Sequence, residues 1–576
     1  MLAKQFVQHY TLGLYLSIST FTIFKITKQT YGVNDDVIVQ NWLSGFYTGV
    51  PELMIRGSAT PRISFGFIVS NLYELIPSVN WFSIILLGSV LLSWYLLGVI
   101  AFRLNNFFTI TVYFLTSFLH LIWFIPSPTY TATAIILSFS TLIFLLKQIT
   151  DHKVNYLFIP ISFFYTFSFL IRPESFLLGS AVIIPFIILT ISRNLKEIKK
   201  EIVYILVSIM IVISIIGIDI VSEKIYYKNN ISWTEYRDWE GARYKIQANA
   251  PEKAVLENPT KYGWTKAEAE IFKNYNFVDA NNFTLNKLNR LILDSQSTST
   301  LSLKLLMKAH QQIFDSDINW EWKRLIQLIS LIYILFLILT LPKSFNYLIL
   351  SSSSLAIVYL IMLYVAGFLR QPERVQVSVI FLSILVSWAS FIFTEDSNSG
   401  NKLDQYYILS WLTLSLIATN TYSQSIYLKS KVAGASNVFW ITESAYLSKF
   451  PKDSIFVGNA SQFRNNWISP YKMEYFDVEK RIMSFGWHNF SPHWINRAQN
   501  LGLDSNNLFN SVINDPRVYW VSDPVSMEYI VTYMKEQNYN FSGPEIVGEM
   551  EFGPEIVNRK EYVANDYNVW NFNPNE

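Results

Sequence analysis

The chain has 576 residues, of which 51% are hydrophobic, 16% aromatic and only 15% charged, with a net charge of +2. Soluble domains carry about a quarter charged residues, so this composition excludes an ordinary soluble protein. The near balance of charge gives no basic footprint for nucleic acid, and the absence of cysteine excludes disulfide and thiol chemistry. Apolar runs of about 18 residues recur, which is the length that a helix needs to cross a bilayer. The sequence therefore predicts a polytopic α-helical membrane protein.

The apolar runs predict about eleven transmembrane helices. The predicted spans are 9–27, 80–101, 107–126, 129–147, 154–171, 174–192, 202–220, 323–341, 345–367, 375–393 and 405–422. No small-residue cleavage site follows the first span, so we interpret it as a retained helix and not a signal peptide. A further amphipathic segment, 63–76, is predicted to lie in the interface or to re-enter the membrane.

Basic residues predict the orientation of the spans. Short loops on one side carry more Lys and Arg, most compactly in the run "RNLKEIKK" at 193–200 after the sixth span. Such an excess indicates the cytoplasmic side. The amino terminus is then cytoplasmic, and the loops after odd-numbered spans share the opposite, extracytoplasmic face.

Two long polar regions fall on that outer face. In the first, 221–322, "TKAEAEIFKNY" is typical of a short helix with Thr265 as N-cap and Glu268 completing a capping box. The second, 423–576, has strand patterns at 453–459 and 516–522 and a helix pattern at 524–537, and it predicts an α/β domain. We therefore predict a transmembrane domain at 1–422, including outer loops 28–79 and 221–322, followed by an extracytoplasmic α/β domain at 423–576.

Charged residues on the outer face form three groups beside apolar spans. The groups are Asp35 with Asp36 in the first loop, Arg172 with Glu174 before the sixth span, and Arg370, Glu373 and Arg374 before the tenth. Charges next to apolar spans are costly unless they face a cavity or one another. Together the groups predict a polar cavity at the outer membrane edge. The alternatives are interfacial anchors that meet lipid headgroups, and Arg–Glu pairs that satisfy each other.

This arrangement resembles the GT-C superfamily of membrane glycosyltransferases. The resemblance rests on a first span, an outward loop with the acidic motif Asn34-Asp35-Asp36, many further spans and an outer α/β domain. That superfamily includes protein mannosyltransferases, oligosaccharyltransferases and bacterial enzymes that add arabinose, galacturonic acid or glucose to glycans. The resemblance covers the architecture of the whole chain, although the motif itself is short. It implies a polyprenyl-phosphate sugar donor, a glycan or lipid acceptor, and a location in a bacterial cytoplasmic membrane.

The resemblance also implies roles for the charged residues. A base in the first outer loop would take a proton from the acceptor hydroxyl while phosphate leaves the sugar. We prefer Asp35 as this base and Asp36 as an orienting partner or metal ligand, although the reverse order stays open. Arginine forks suit phosphate oxygens, which makes Arg172, Arg370 and Arg374 the candidates for the donor phosphate, with Glu174 and Glu373 supporting them. A divalent Mg²⁺ or Mn²⁺ cofactor also stays open.

Aromatic residues of the large outer loop are candidates for sugar contact. Trp233, Arg237, Trp239 and Arg243 alternate with acidic residues, and we predict a loop that covers the donor or acceptor site. The alternative is an interfacial aromatic belt. The segment "WHNFSPHW" at 487–494 is predicted to be a surface turn, and the alternative is an acceptor-binding loop of the outer domain. Its two histidines alone are too few for a metal site.

Three other functions of membrane proteins remain as alternatives, and one of them is a structural or assembly protein whose outer domain binds a partner. A transporter or flippase of lipid-linked glycan would show repeated halves with broken helices near the midplane, and the sequence has no matching halves. A glycan polymerase or ligase would bind pyrophosphate through loop arginines and use a loop histidine such as His310. A polymerase or ligase requires no acidic pair after the first span. The identity of the sugar and the acceptor is not encoded in any recognisable motif.

Overall fold

The structure is a computed structural model of the chain. It describes residues 2–27, 29, 31, 34–46, 50–53, 61–104, 107–194, 202–248, 256–296, 345–368, 373–394, 447–459, 470–471, 480–550 and 567–574.

The described part of residues 1–394 is helical. Its helices are α1 Leu2–Ile26, α2 Asn34–Leu43, α3 Ile63–Leu75, α4 Trp81–Leu104, α5 Phe107–Phe124, α6 Tyr130–Thr150, α7 Phe158–Ile171, α8 Pro173–Ala181, α9 Ile184–Asn194, α10 Ile202–Asn229, α11 Ile231–Ala248, α12 Lys266–Lys273, α13 Leu285–Gln296, α14 Phe345–Phe368 and α15 Glu373–Thr394.

Three of the described helices, α4, α6 and α10, have the length and hydropathy of membrane spans. Helices α8 and α9 form a fourth if they are one span, bent by 49° at a break just before Pro185. Proline cannot donate the backbone hydrogen bond of a continuous helix, which accounts for a break there. Shorter apolar stretches lie in α3, α5, α7, α14 and α15. The chain is thus a polytopic α-helical membrane protein. The predicted spans 323–341 and 405–422 lie outside the described residues, so the count of eleven stays a prediction.

Helix α6 lies at the centre of the helical part. It packs against α4, α7, α8 and α15, and its side chains are buried along most of its length. Gly179 of α8 meets α6 so closely that a Cβ there would lie 2.6 Å from the carbonyl oxygen of Ile135. Small residues allow such close approach of helix backbones in membranes. The amino-terminal end of α6 is therefore held firmly among its neighbours.

The carboxyl-terminal region is an α/β domain, as its sequence predicts. Its elements are β1 Ile455–Asn459, β2 Ile482–Phe485, α16 Pro492–Asn500, α17 Leu508–Asn514, β3 Val518–Ser522, α18 Pro524–Glu536, β4 Phe541–Met550 and β5 Tyr567–Pro574. The sheet has the order β2-β1-β3-β5-β4, with β1 parallel to β2 and β3, and β5 antiparallel to β3 and β4.

The large polar loop and this domain share one apolar core. The Trp239 indole of α11 donates to the Phe283 carbonyl at 2.7 Å, and Phe283 stacks on Tyr533 of α18. The Asp279 carboxylate accepts hydrogen bonds from the hydroxyls of Tyr533 at 3.0 Å and Tyr539 at 2.9 Å. Residues 227–248 and 256–292 therefore pack as one unit with the α/β domain, although the predicted boundary near 422 separates them. That boundary lies outside the described residues.

Candidate active site

The acidic pair begins a short helix. Asp35 and Asp36 occupy the first turn of α2, where carboxylates are favoured by the positive end of the helix dipole. The apolar residues Val37, Ile38 and Val39 follow and are buried, which fixes the helix against the membrane part. Residues 35 and 42 are two helical turns apart and share one face of α2, whereas Asp36 points about 100° away. The two carboxylates therefore face different surroundings.

Asp36 points to the amino terminus of α6. Its Oδ1 accepts the backbone N–H of Tyr130 at 3.0 Å, next to the helix cap in which Thr129 accepts from the N–H of Ala132. The side chain is fully buried, and its Oδ2 has no hydrogen-bond partner among the described residues. Burial raises the pKa of Asp36 to about 7, against the opposing charges of Arg374 and Arg172. Asp36 is thus poised between its neutral and charged forms near neutral pH.

Asp35 pairs with an arginine from the far end of the membrane sequence. Arg374, in the first turn of α15, donates from Nη2 to Asp35 Oδ2 at 2.8 Å. The two side chains are 13% and 20% exposed, in contrast to the fully buried Asp36. The Nε of Arg374 has no hydrogen-bond partner within the described segments. Of the two carboxylates, Asp35 is therefore the one that a ligand can reach.

Arg172 reaches the same place from the junction of α7 and α8. The residue before a proline is pushed out of the helical region, and Arg172 before Pro173 is extended. Its Nη1 donates to Thr131 Oγ1 at 2.7 Å, and its guanidinium lies 4.9 Å from the centre of the Tyr130 ring. The Glu174 carboxylate is 3.9 Å from Arg172 Nε and half exposed, so the pair is loose.

Two of the three predicted arginines thus meet the acidic pair at the start of α6. Asp36 contacts Tyr130, and Arg172 contacts both Tyr130 and Thr131. The sequence does not reveal this role of the first two residues of α6. Arg370 lies outside the described residues, and Glu373 begins α15 with a side chain that is not described. Their predicted roles stay predictions.

A second buried ion cluster lies at the same end of the helices. Arg62, which precedes α3, pairs with Asp219 and Glu223 of α10. Asp219 is fully buried, and its Oδ1 also accepts the Ser64 backbone N–H at 3.0 Å at the start of α3. Sequence reasoning missed this cluster, although a lone carboxylate inside an apolar span was a usable signal. The cluster fixes α3 to α10.

The residues predicted to cover the sugar site lie on a helix and not on a loop. Trp233, Trp239 and Arg243 of α11 are buried, and Arg243 is held by Glu240 and Gln247. Arg237 is exposed and pairs with Asp238 at 3.0 Å. Trp233, Trp239 and Arg243 are therefore part of the protein core, whereas a ligand can reach the exposed side chain of Arg237.

The segment 487–494 is not a surface turn, contrary to the sequence-based prediction. His488, His493 and Trp494 are buried, because the segment packs between the sheet and α2. The His493 ring stacks on Trp42 of α2 at 4.6 Å, and its Nδ1 pairs with Glu52. The α/β domain therefore touches the helix that carries the acidic pair.

The carboxylates of the site are held by other protein groups. Within the described ranges no group of three or more His, Asp or Glu side chains could hold a metal ion. Asp35 is engaged by Arg374, and Asp36 by a backbone N–H. The divalent Mg²⁺ or Mn²⁺ cofactor, which the sequence leaves open, stays open.

Solved structures with a similar fold include two crystal structures of ArnT from Cupriavidus metallidurans. The apo structure aligns with 99% of this chain and 98% of that chain, with a TM-score of 0.40 and 10% sequence identity. The structure bound to undecaprenyl phosphate aligns with 97% of each chain, with a TM-score of 0.36 and 11% identity. No family model and no curated protein matches the chain.

Proposed function

We propose that this protein is a membrane glycosyltransferase that moves a sugar from a polyprenyl-phosphate donor to a glycan or lipid acceptor. The observation that carries the proposal is the meeting of two carboxylates and two arginines at the start of α6, at one end of the membrane helices. Such a set can take up a proton and bind a phosphate within one small volume. The site faces the extracytoplasmic side of a bacterial cytoplasmic membrane in this proposal.

Asp35 is the proposed general base. It is the exposed member of the pair, so an acceptor hydroxyl can approach it, whereas Asp36 has no exposed surface. Asp35 takes the hydroxyl proton while the hydroxyl oxygen forms a bond to the anomeric carbon of the donor sugar. The bond between that carbon and the phosphate oxygen breaks, and polyprenyl phosphate leaves with the electron pair.

Arg374 and Arg172 are the proposed ligands of the donor phosphate. Arg374 has a free Nε in the described structure, and guanidinium groups match phosphate oxygens with two parallel hydrogen bonds. A phosphate that engages Arg374 weakens its ion pair with Asp35. Binding of the donor thereby releases the base that the reaction needs, so the resting ion pair keeps Asp35 unreactive until the donor arrives.

Asp36 tunes the charge of this site. When Asp36 is neutral, two arginines face the single charge of Asp35, and the excess positive charge suits a phosphodiester anion. When Asp36 ionises, near its pKa of about 7, that excess disappears. We therefore assign Asp36 an orienting and electrostatic role that supports Asp35.

The test is sugar transfer by the full-length chain in detergent-permeabilised membrane vesicles. The donors are labelled glucose, mannose, galactose and arabinose, each attached to undecaprenyl phosphate, which is the lipid bound in the second ArnT structure. We expect label from one of these donors to reach endogenous acceptors. We expect Asp35→Asn to lower the rate by at least about a hundredfold, the usual contribution of a general base.

The matched control is Glu528→Gln, an equivalent change at an exposed residue of α18, which should transfer at the wild-type rate. The proposal is wrong if Asp35→Asn transfers as fast as the wild type, or if none of the donors is used. Movement of intact lipid-linked sugar across the bilayer, without cleavage of its phosphate bond, would favour the flippase alternative instead.

A further inference from the structure

His493 of the α/β domain lies at the junction of three other segments. Its ring stacks on Trp42 of α2, with 4.6 Å between the ring centres and 22° between the ring planes. The Trp233 ring of α11 meets it edge-on at 4.8 Å. Glu52 and Leu53, in the loop that follows α2, contact its two nitrogens. One buried side chain thus ties the α/β domain to the helix that carries the acidic pair.

Both ring nitrogens of His493 face hydrogen-bond acceptors. Nε2 lies 3.2 Å from the carbonyl oxygen of Leu53, and Nδ1 contacts the carboxylate of Glu52. Carbonyl and carboxylate oxygens only accept hydrogen bonds, so a neutral ring can bond to only one of the two partners. The Glu52 side chain is 24% exposed, so water stabilises its ionised form. The two contacts therefore require an imidazolium that donates from both nitrogens.

The surroundings of His493 both oppose and favour a positive charge. The residue lies in the first turn of α16, where the positive end of the helix dipole disfavours a cation. Burial lowers the pKa of the neighbouring His488 to about 4, and the positive charge of His493 adds to the decrease. The face of the Trp42 ring attracts a cation, and the carboxylate of Glu52 does so more strongly. The proton on His493 therefore depends mainly on Glu52.

Other charged groups near this junction are engaged by different partners. Asp35, on the same face of α2 as Trp42, pairs with Arg374. Arg497, one turn further along α16, donates to two backbone carbonyls. Tyr226 of α10 interacts with the charge of Glu52. Among the described residues, Glu52 is thus the carboxylate that contacts the His493 ring.

Helix α2 connects this contact to the acidic pair. Trp42 and Asp35 lie two turns apart on one face of the helix, which has ten residues. The Glu52 N–H also donates to the Trp42 carbonyl at 3.3 Å, which joins the loop to the end of the helix. A shift or rotation at Trp42 therefore moves Asp35 relative to Arg374, which belongs to α15.

We propose that His493 is a positioning residue that acts as an imidazolium, and that its charge holds the α/β domain on α2 and thereby sets the position of Asp35. The role toward Asp35 rests on the proposed function, whereas the charged contact itself does not. Loss of the proton leaves one ring nitrogen facing an acceptor without a hydrogen bond. The contact therefore weakens as the pH rises.

Glu52→Gln separates a charged contact from simple packing. The amide of Gln can donate to a neutral Nδ1, while Nε2 still donates to Leu53. A neutral ring then satisfies both partners, so the contact no longer needs the additional proton. If His493 only fills space beside Trp42, this change of equal size leaves the pH dependence of the contact unchanged. Glu528→Gln, at an exposed residue of α18, is the matched control and should behave as the wild type.

The first measurement is the charge of the ring, in the full chain in nanodiscs with ¹⁵N-labelled histidine. The resonances of His493 are those lost in His493→Gln. At about pH 7.5, roughly nine-tenths of free histidine is neutral. At this pH we expect both ring nitrogens of the wild type to carry protons, and one nitrogen in Glu52→Gln to be bare. A neutral ring in the wild type, or a charged ring in both proteins, overturns the inference.

The second measurement is hydrogen exchange of the α2 amides, which requires no variant of His493. Between about pH 7 and about pH 9, we expect α2 of the wild type to lose about tenfold more protection than α2 of Glu52→Gln. The two proteins are compared at equal pH, so the intrinsic exchange rate and the ionisation of Asp36 are common to both. Equal losses of protection overturn the inference.

Sugar transfer is the third readout, and the first two do not require a donor. We expect kcat of the wild type to fall more steeply over the same pH range than kcat of Glu52→Gln, and equal slopes overturn the positioning role. Transfer that depends on Asp35 in a protein with a neutral His493 overturns this inference alone. A charged His493 in a protein that uses no donor overturns the proposed transfer and leaves only the charged contact between the domain and α2.

Discussion

Arg374 donates a hydrogen bond to Asp35 at 2.8 Å, although 339 positions separate the two residues in the chain. The bond joins the first turn of α15 to the first turn of α2. It unites two charged groups that the sequence places in different loops, and it makes Arg374 the proposed link between donor binding and release of the base.

Arg374 should therefore control the affinity for the donor. Arg374→Lys keeps the charge but loses the planar fork, and we expect the donor KM to rise about tenfold. Arg374→Gln loses the charge as well, and we expect a rise of about a hundredfold, in line with the loss of hydrogen bonds to a charged group. The measurement is the donor KM in the vesicle assay. Arg517→Gln, in an exposed pair with Asp515, is the control and should leave the KM unchanged.

Asp36 should make the stability of the fold depend on pH. Its pKa is 3.8 as a free side chain and about 7 in the folded protein. Between these values the folded state holds a proton that the unfolded state has lost. The stabilisation of the folded state by this proton is therefore fully present below pH 3.8, decreases as the pH rises and is lost above about pH 7.

The check is the melting temperature in detergent between pH 5 and 8. The wild type should lose more stability over this range than Asp36→Asn, which has no proton to bind. Parallel curves for the two proteins would contradict the pKa and the electrostatic role built on it.

Asp219 should matter more for stability than its neighbour Glu223. Asp219→Asn leaves Arg62 without its fully buried partner and weakens the start of α3. Loss of one partner from a buried pair costs about 3–5 kcal/mol. Glu223 is partly exposed, so Glu223→Gln should cost about 1 kcal/mol or less. Equilibrium unfolding in mixed micelles measures both, and equal losses would count against the proposed anchor of α3.

The two tyrosines on Asp279 should stabilise the unit formed by the large loop and the α/β domain. Tyr533→Phe and Tyr539→Phe each remove one hydrogen bond to the carboxylate and should cost about 1 kcal/mol. The double variant should lose more than the sum, because Asp279 then keeps neither phenol. Tyr529→Phe on α18, which makes no hydrogen bond to other described residues, is the control. Strictly additive losses in chemical unfolding would speak against a shared network.

Local sequence patterns predicted the parts of this fold that depend on neighbouring residues. The capping box of Thr265 and Glu268 is present in full, and the patterns at 453–459, 516–522 and 524–537 form β1, β3 and α18. Long apolar runs likewise predicted the helices that pack around α6. Each of these features arises within about twenty residues of chain, where hydropathy period and capping chemistry are informative.

Pairings between distant residues required the structure. The grouping of charges on one face predicted that Asp35, Asp36, Arg172 and Arg374 would meet, but not which carboxylate would be buried. Trp233 and Trp239 are candidates for sugar contact in the sequence, but both are buried in the structure. The burial of an aromatic residue depends on which distant segments pack over it, and the sequence does not show these. The pairing of Arg62 with Asp219 and the docking of His493 on α2 were missed for the same reason.

The most direct test of the central claim is a cryo-EM structure of the full chain in nanodiscs with undecaprenyl phosphate. The account predicts that the phosphate lies within hydrogen-bond distance of both Arg374 and Arg172, and that Arg374 has moved away from Asp35. A phosphate bound at the opposite end of the helices, or one that leaves the Arg374–Asp35 ion pair unchanged, would contradict it.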